Sequence, residues 1–117
     1  MTLSELKDIL EASILVGNEH LNREFDKCGA SDLMSDILAG LSEKCVLLTG
    51  LTTVQAVRTA VVAGVGAIVF VRNKIPPQAV IDLARSEGMP LLITPLSMFL
   101  SCGRLHAKGI TGLDGKK

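Results

Sequence analysis

Cys45-Val-Leu-Leu-Thr49, Ala67-Ile-Val-Phe-Val71 and Pro90-Leu-Leu-Ile-Thr94 are three short apolar runs, each followed by a polar turn and then by a helical pattern. None is long enough for an independent helix. Continuous apolar runs, rather than alternation, mark strands buried on both faces, and these belong to parallel sheets covered by helices. The spacing therefore predicts three consecutive strand-helix units between Cys45 and Lys108, joined by crossover connections. The fold class that follows is α/β, a mainly parallel sheet flanked by helices.

Working outward, each unit carries its own punctuation. After the first run Gly50 breaks the strand, and Thr52 or Thr53 can cap a helix bearing Val54, Val57 and Val61 on one face, ended by Gly64 and Gly66. After the second run, Pro76 and Pro77 cannot continue a strand but suit a helix start, with Val80, Leu83 and Ala84 following at helical spacing up to Gly88. After the third, Pro95 and Ser97 open a helix through Met98, Phe99 and Leu105. The repeat of about 22 residues raises a leucine-rich solenoid, set aside because there is no asparagine ladder and the helical segments are full crossovers.

An N-terminal helix-strand segment precedes the units. Thr2 or Ser4 can cap a helix with Leu3, Leu6, Ile9 and Leu10 at helical spacing, ending near Glu11. Ser13-Ile-Leu-Val16 reads as a strand closed by Gly17-Asn18. Residues 24–29 read as a weaker strand. Ser31 or Asp32 is placed to cap a short helix with apolar Leu33, Met34, Ile37, Leu38 and Leu41, weakened by Gly40. One domain over residues 1–108 and a loose, glycine-containing tail over 109–117 complete the expected layout.

Composition narrows the partners. Twelve basic residues balance 12 acidic ones, which argues against nucleic acid and anionic membranes as partners. No apolar run reaches the roughly 18 residues of a membrane span, and the N-terminus has no signal-peptide core. Three widely spaced cysteines, Cys28, Cys45 and Cys102, suit reduced thiols, and the expected compartment is cytoplasmic. A mean hydropathy of +0.43 exceeds what a three-unit core obviously buries. This suggests a homodimer through Leu33, Met34, Ile37, Leu38 and Leu41 with Met98 and Phe99, against the alternative that these are ordinary core.

In an open parallel sheet, ligands bind beyond the carboxyl ends of the strands, where helix N-termini point. That edge would carry Gly50, Thr52 and Thr53 from the first unit, Arg72, Asn73 and Lys74 from the second, and Thr94 and Ser97 from the third. Hydroxyls, backbone donors and two cations together could hold a phosphate. The competing reading is that strand-to-helix turns need such residues anyway. Asp32 and Asp36, four apart, could hold Mg²⁺ or act as acid and base, but a capping or solvated role fits two carboxylates lacking a third ligand better. Cys102 and His106 share the same spacing and could pair a thiolate with its base, against a packed-face reading of Cys102 beside Phe99. No metal-ligand spacing, no G-x-x-x-x-G-K-[ST] and no G-x-G-x-x-G opening a helix is present. Gly64-Val-Gly66 precedes a strand, the wrong order for a dinucleotide fingerprint. No catalytic residue, cofactor or metal site is assigned.

The ordered set Ala30-Ser-Asp-Leu-Met-Ser-Asp-Ile-Leu38, Leu47-Leu-Thr-Gly-Leu-Thr52, Val57-Arg-Thr-Ala60, Ala67-Ile-Val-Phe-Val-Arg72 and Cys102-Gly-Arg-Leu105 resembles the DRTGG domain family, most of all its small stand-alone members. The likeness runs from about Leu3 to Leu105. It implies the fold of the N-terminal domain of HPr kinase/phosphorylase, and a ligand-sensing or dimer-forming role such as these domains have beside CBS domains in regulatory pyrophosphatases. The literal string Asp-Arg-Thr-Gly-Gly and the kinase's phosphate loop are both absent, so no residue of either is carried over. The functional expectation is a non-catalytic regulatory module sensing a nucleotide or other phosphorylated small molecule. The alternative is a ligand-free dimerisation or interaction domain docking on a redox or signalling enzyme.

Overall fold

A computed structural model of the chain describes residues 1–33, 35–36 and 44–113. Helix α1 (Leu3–Ile9) leads into strand β1 (Ser13–Val16) and a short 3-10 turn (Asn18–His20), followed by β2 (Lys27–Ala30). The three expected units then appear as β3 (Cys45–Thr49) with α2 (Val54–Ala63), β4 (Ala67–Phe70) with α3 (Gln78–Ser86), and β5 (Leu91–Ile93) with α4 (Met98–Ala107). A two-residue strand β6 (Thr111–Gly112) follows.

Local chemistry starts and stops these elements. Thr2 caps α1 in a reciprocal box: its hydroxyl accepts from the Glu5 N–H at 3.2 Å, and the Glu5 carboxylate accepts from the Thr2 N–H at 3.1 Å. Thr53 and Ser97 cap α2 and α4 by accepting from the N–H groups of Ala56 and Leu100. Pro77 stands at the start of α3, where its missing N–H leaves no helix bond unmade.

The six strands lie in the order β1-β5-β4-β3-β2-β6. All neighbours are parallel except β1, which runs antiparallel to β5 with a register shift between Ile14 and Val16. Side chains alternate between two cores. Val46, Leu48, Val69 and Leu92 face α1 and α4, whereas Leu47, Ile68, Phe70 and Leu91 face α2 and α3. The continuous apolar runs thus reflect burial of both faces. The helix after β4 packs on one face and the helix after β5 on the other, so the connections change side between these adjacent strands.

Several expectations are corrected. Strand β2 begins at Lys27, and Glu24 instead forms an isolated bridge with Thr2. The tail is not loose from residue 109: Ile110 is buried and β6 pairs with β2, because the sheet edge next to β2 accepts one more strand. Phe99 does not pack beside Cys102 but is 88% exposed. Most of the expected dimer face, Met34, Ile37, Leu38 and Leu41, lies outside the described residues, as does Gly40; Met98 packs partly against the core.

Candidate functional site

The change of side between β4 and β5 makes their carboxyl ends a topological switch point, the position where open α/β sheets hold ligands. Arg72, Asn73 and Lys74 leave β4 there, and Thr94 and Ser97 leave β5. Arg72 and Asn73 both adopt left-handed backbone, with φ of 56° and 57°. Consecutive non-glycine residues in this region are strained and persist only where surrounding structure holds them. Two backbone bonds do so: the Arg72 N–H donates to the Leu96 carbonyl and the Asn73 N–H to the Thr94 carbonyl, each at 2.8 Å. The two turns are thereby laced together, and the side chains of residues 72–74 are left exposed.

The expected residues divide into those that hold the edge together and those that face outward. The Thr94 hydroxyl is fully buried, donates to the Leu10 carbonyl at 2.6 Å and accepts from the Leu96 N–H at 3.1 Å, so it ties β5 to α1 and is not open to a ligand. Thr53 and Ser97 are engaged by their own helices. Thr52 is half-buried, and Gly50 is buried. Outward-facing charge is therefore carried by Arg72 and Lys74.

Asp32 is the residue that sequence reasoning placed elsewhere. One of its oxygens accepts from the Gly50 N–H at 2.7 Å and from the Thr49 hydroxyl at 2.9 Å. Beside it Ser31 forms a local turn, its hydroxyl accepting from the Leu33 N–H and donating to Asp36. The Asp32 carboxyl is held below the usual carboxylate range, first by the Gly50 N–H, against the opposing effect of burial, and further by the Thr49 hydroxyl and the charges of Lys74 and Arg72. A methyl group at Gly50 would lie 3.4 Å from an Arg72 guanidinium nitrogen and 3.5 Å from Asp32, which locates cation and carboxylate on either side of this glycine. No sequence signal joined Asp32 to Gly50, because a carboxylate reaching a turn across the neighbouring strand leaves no local spacing. Asp32 and Asp36 do not converge on a metal; among the described residues no group of three or more potential ligands does.

No family model matches the chain, and no curated protein matches it. Its fold is similar to the crystal structure of the CBS and DRTGG domains of the regulatory region of a Clostridium perfringens pyrophosphatase complexed with its activator, diadenosine tetraphosphate. The TM-score is 0.76 at 17% sequence identity, over 89% of this chain and 45% of that one. The chain thus spans less than half the length of that structure, and at such identity the likeness is one of fold. It agrees with the fold expected from the resemblance to DRTGG domains. No helix among the described residues is long and apolar enough to cross a membrane.

Proposed function

We propose that this chain, with the fold of a DRTGG-like domain, is a non-catalytic regulatory module that binds a nucleotide or other phosphorylated small molecule at the carboxyl edge of β3, β4 and β5. The observation that carries the reading is the left-handed Arg72-Asn73 turn, which with the following Lys74 presents two exposed cations at the point where the connections change side. Asp32 already satisfies the Gly50 N–H, so a phosphate falls to Arg72 and Lys74. The N-termini of α2 and α4 add roughly 0.3–1 kcal/mol each. Micromolar affinity needs about 8 kcal/mol, so the base or sugar must contribute as well. The activator bound by the structurally similar regulatory region is a nucleotide with four phosphates, which fits this class of ligand.

Titration calorimetry with AMP, ATP, diadenosine tetraphosphate and inorganic pyrophosphate tests the reading. At least one nucleotide binds the parent chain, and R72A/K74A loses that binding while its melting temperature stays within a few degrees. Binding that survives the double substitution places the ligand elsewhere. Hydrolysis of any of these compounds above background removes the non-catalytic reading.

A second reading, an interaction or dimer-forming domain in the cytoplasm, draws on exposed apolar side chains: Phe99 at 88%, Leu33 at 62% and Leu100 at 42%. Sedimentation at micromolar concentration decides it, since a strict monomer there excludes the homodimer.

A further inference from the structure

Away from the strand-end edge, a cavity of about 240 Å³ lies between α4 and the strands β2 and β6. Its lining includes Cys28 from β2 and Cys102 and His106 from α4, with Leu105 and Ile110 as apolar wall. Both thiols line this one cavity, although the strand and the helix that carry them are far apart in sequence. All three cysteines are thiols. Cys45 is fully buried with its sulfur 3.4 Å from the Val46 carbonyl, and it does not line this cavity.

We propose that Cys102 and Cys28 form a second site, a reactive dithiol that takes a hydroperoxide and closes to an intramolecular disulfide. The two sulfurs have different roles. Cys102 is half-buried, and its hydrogen bond from Cys28 lowers it to about 7 against the opposing effect of burial, so a large share is thiolate at neutral pH. Cys28 is pushed strongly up, first by the bond to Cys102 and then by burial, and stays protonated. Cys102 is therefore the attacking sulfur and Cys28 the resolving one, an accessible low-pKa thiol beside a partner cysteine.

The Cys102 thiolate attacks one peroxide oxygen, the O–O bond breaks, and the departing alkoxide takes a proton, leaving Cys102 as a sulfenic acid and releasing an alcohol. His106, one helical turn from Cys102 and lining the same cavity, supplies a proton-exchanging group there. The Cys28 sulfur then attacks the Cys102 sulfur, the S–O bond breaks, and hydroxide leaves with the Cys28 proton as water. Two thiols are oxidised to one disulfide, and the hydroperoxide is reduced to an alcohol and water. The site stands independently of the nucleotide reading.

The experiment treats the whole chain with one equivalent of hydrogen peroxide at pH 7. The expected result is a fall in thiols titrated under denaturing conditions from three to one, a mass lower by two hydrogens, and a peptide map joining Cys28 to Cys102. Retention of all three thiols overturns the proposal, as does a bridge containing Cys45 or one between two chains. With C28S, dimedone captures a sulfenic acid on Cys102, and failure to capture it also overturns the proposal. With C102S the oxidation rate falls about tenfold or more, because a thiol of ordinary pKa is mostly protonated at neutral pH; an unchanged rate assigns the chemistry to another cysteine.

Discussion

Replacing Asp32 separates its structural role from its charge. Asp32→Ala removes both bonds accepted by one carboxylate oxygen, from the Gly50 N–H at 2.7 Å and the Thr49 hydroxyl at 2.9 Å. Charge-assisted bonds contribute about 1.5–3 kcal/mol each when shielded from water. The Asp32 side chain is largely exposed, so solvent discounts that range, and the pair together contributes about 1–2 kcal/mol. Asp32→Asn keeps an oxygen able to accept both bonds and loses only the charge, at a cost of about 0.5 kcal/mol. Urea denaturation followed by circular dichroism measures both variants. The sign with pH follows from the lowered carboxyl: the charge stabilises the fold above the ordinary aspartate value of about 3.9 and ceases to do so as pH falls through the lower folded value. The gap between the parent and D32N is thus constant near neutrality and closes below about pH 4. The same carboxylate repels a phosphate on Arg72 and Lys74. At a separation on the order of 6 Å in water the repulsion is about 0.7 kcal/mol, so D32N binds the nucleotide about threefold more tightly. A D32A chain as stable as the parent refutes the hydrogen-bond account. Weaker nucleotide binding by D32N makes Asp32 a ligand contact, not a competitor.

Three further substitutions or titrations probe the rest of the fold. Ser101→Ala stabilises the chain by about 1 kcal/mol in the same denaturation assay, because its buried hydroxyl lacks a hydrogen-bond partner among the described residues and alanine favours the helix. Gly17→Ala destabilises it by roughly 2 kcal/mol or more: φ is +105°, and the new methyl would meet the Pro90 side chain at 2.8 Å. Alkylation of Cys102 by iodoacetamide, followed by mass spectrometry, rises with pH to half its maximum near 7 in the parent; in C28A that midpoint moves upward, since the donor holding the thiolate is gone.

Much of the architecture was legible because its signals are local. The runs beginning at Cys45, Ala67 and Pro90 hold central strands, and their continuous apolar character records burial on two faces at once. Thr2, Thr53 and Ser97 mark helix starts because a side chain three residues from an orphan N–H can reach it in any context. The strand-end edge was legible for the same reason, since a parallel sheet puts every strand-to-helix turn on one side.

Only the tertiary structure decided how distant pieces meet. Local pattern carries no pairing partner, so the antiparallel seat of β1 beside β5 and the parallel seat of β6 beside β2 could not be read from Ser13–Val16 or Thr111–Gly112. Thr94 looked like a ligand residue from its place in a turn, yet its hydroxyl closes against Leu10. Asp32 looked like a cap, yet it holds the turn at Gly50 from the neighbouring strand. Cys28 and Cys102 carried no spacing that linked them, and only the packing of α4 across the sheet brings their thiols together. Sequence determined which residues form strands, caps and turns, because those depend on neighbours within a few positions. Packing determined which polar groups face each other, because that depends on long-range burial, where a donor removed from water bonds to whatever acceptor the fold brings near.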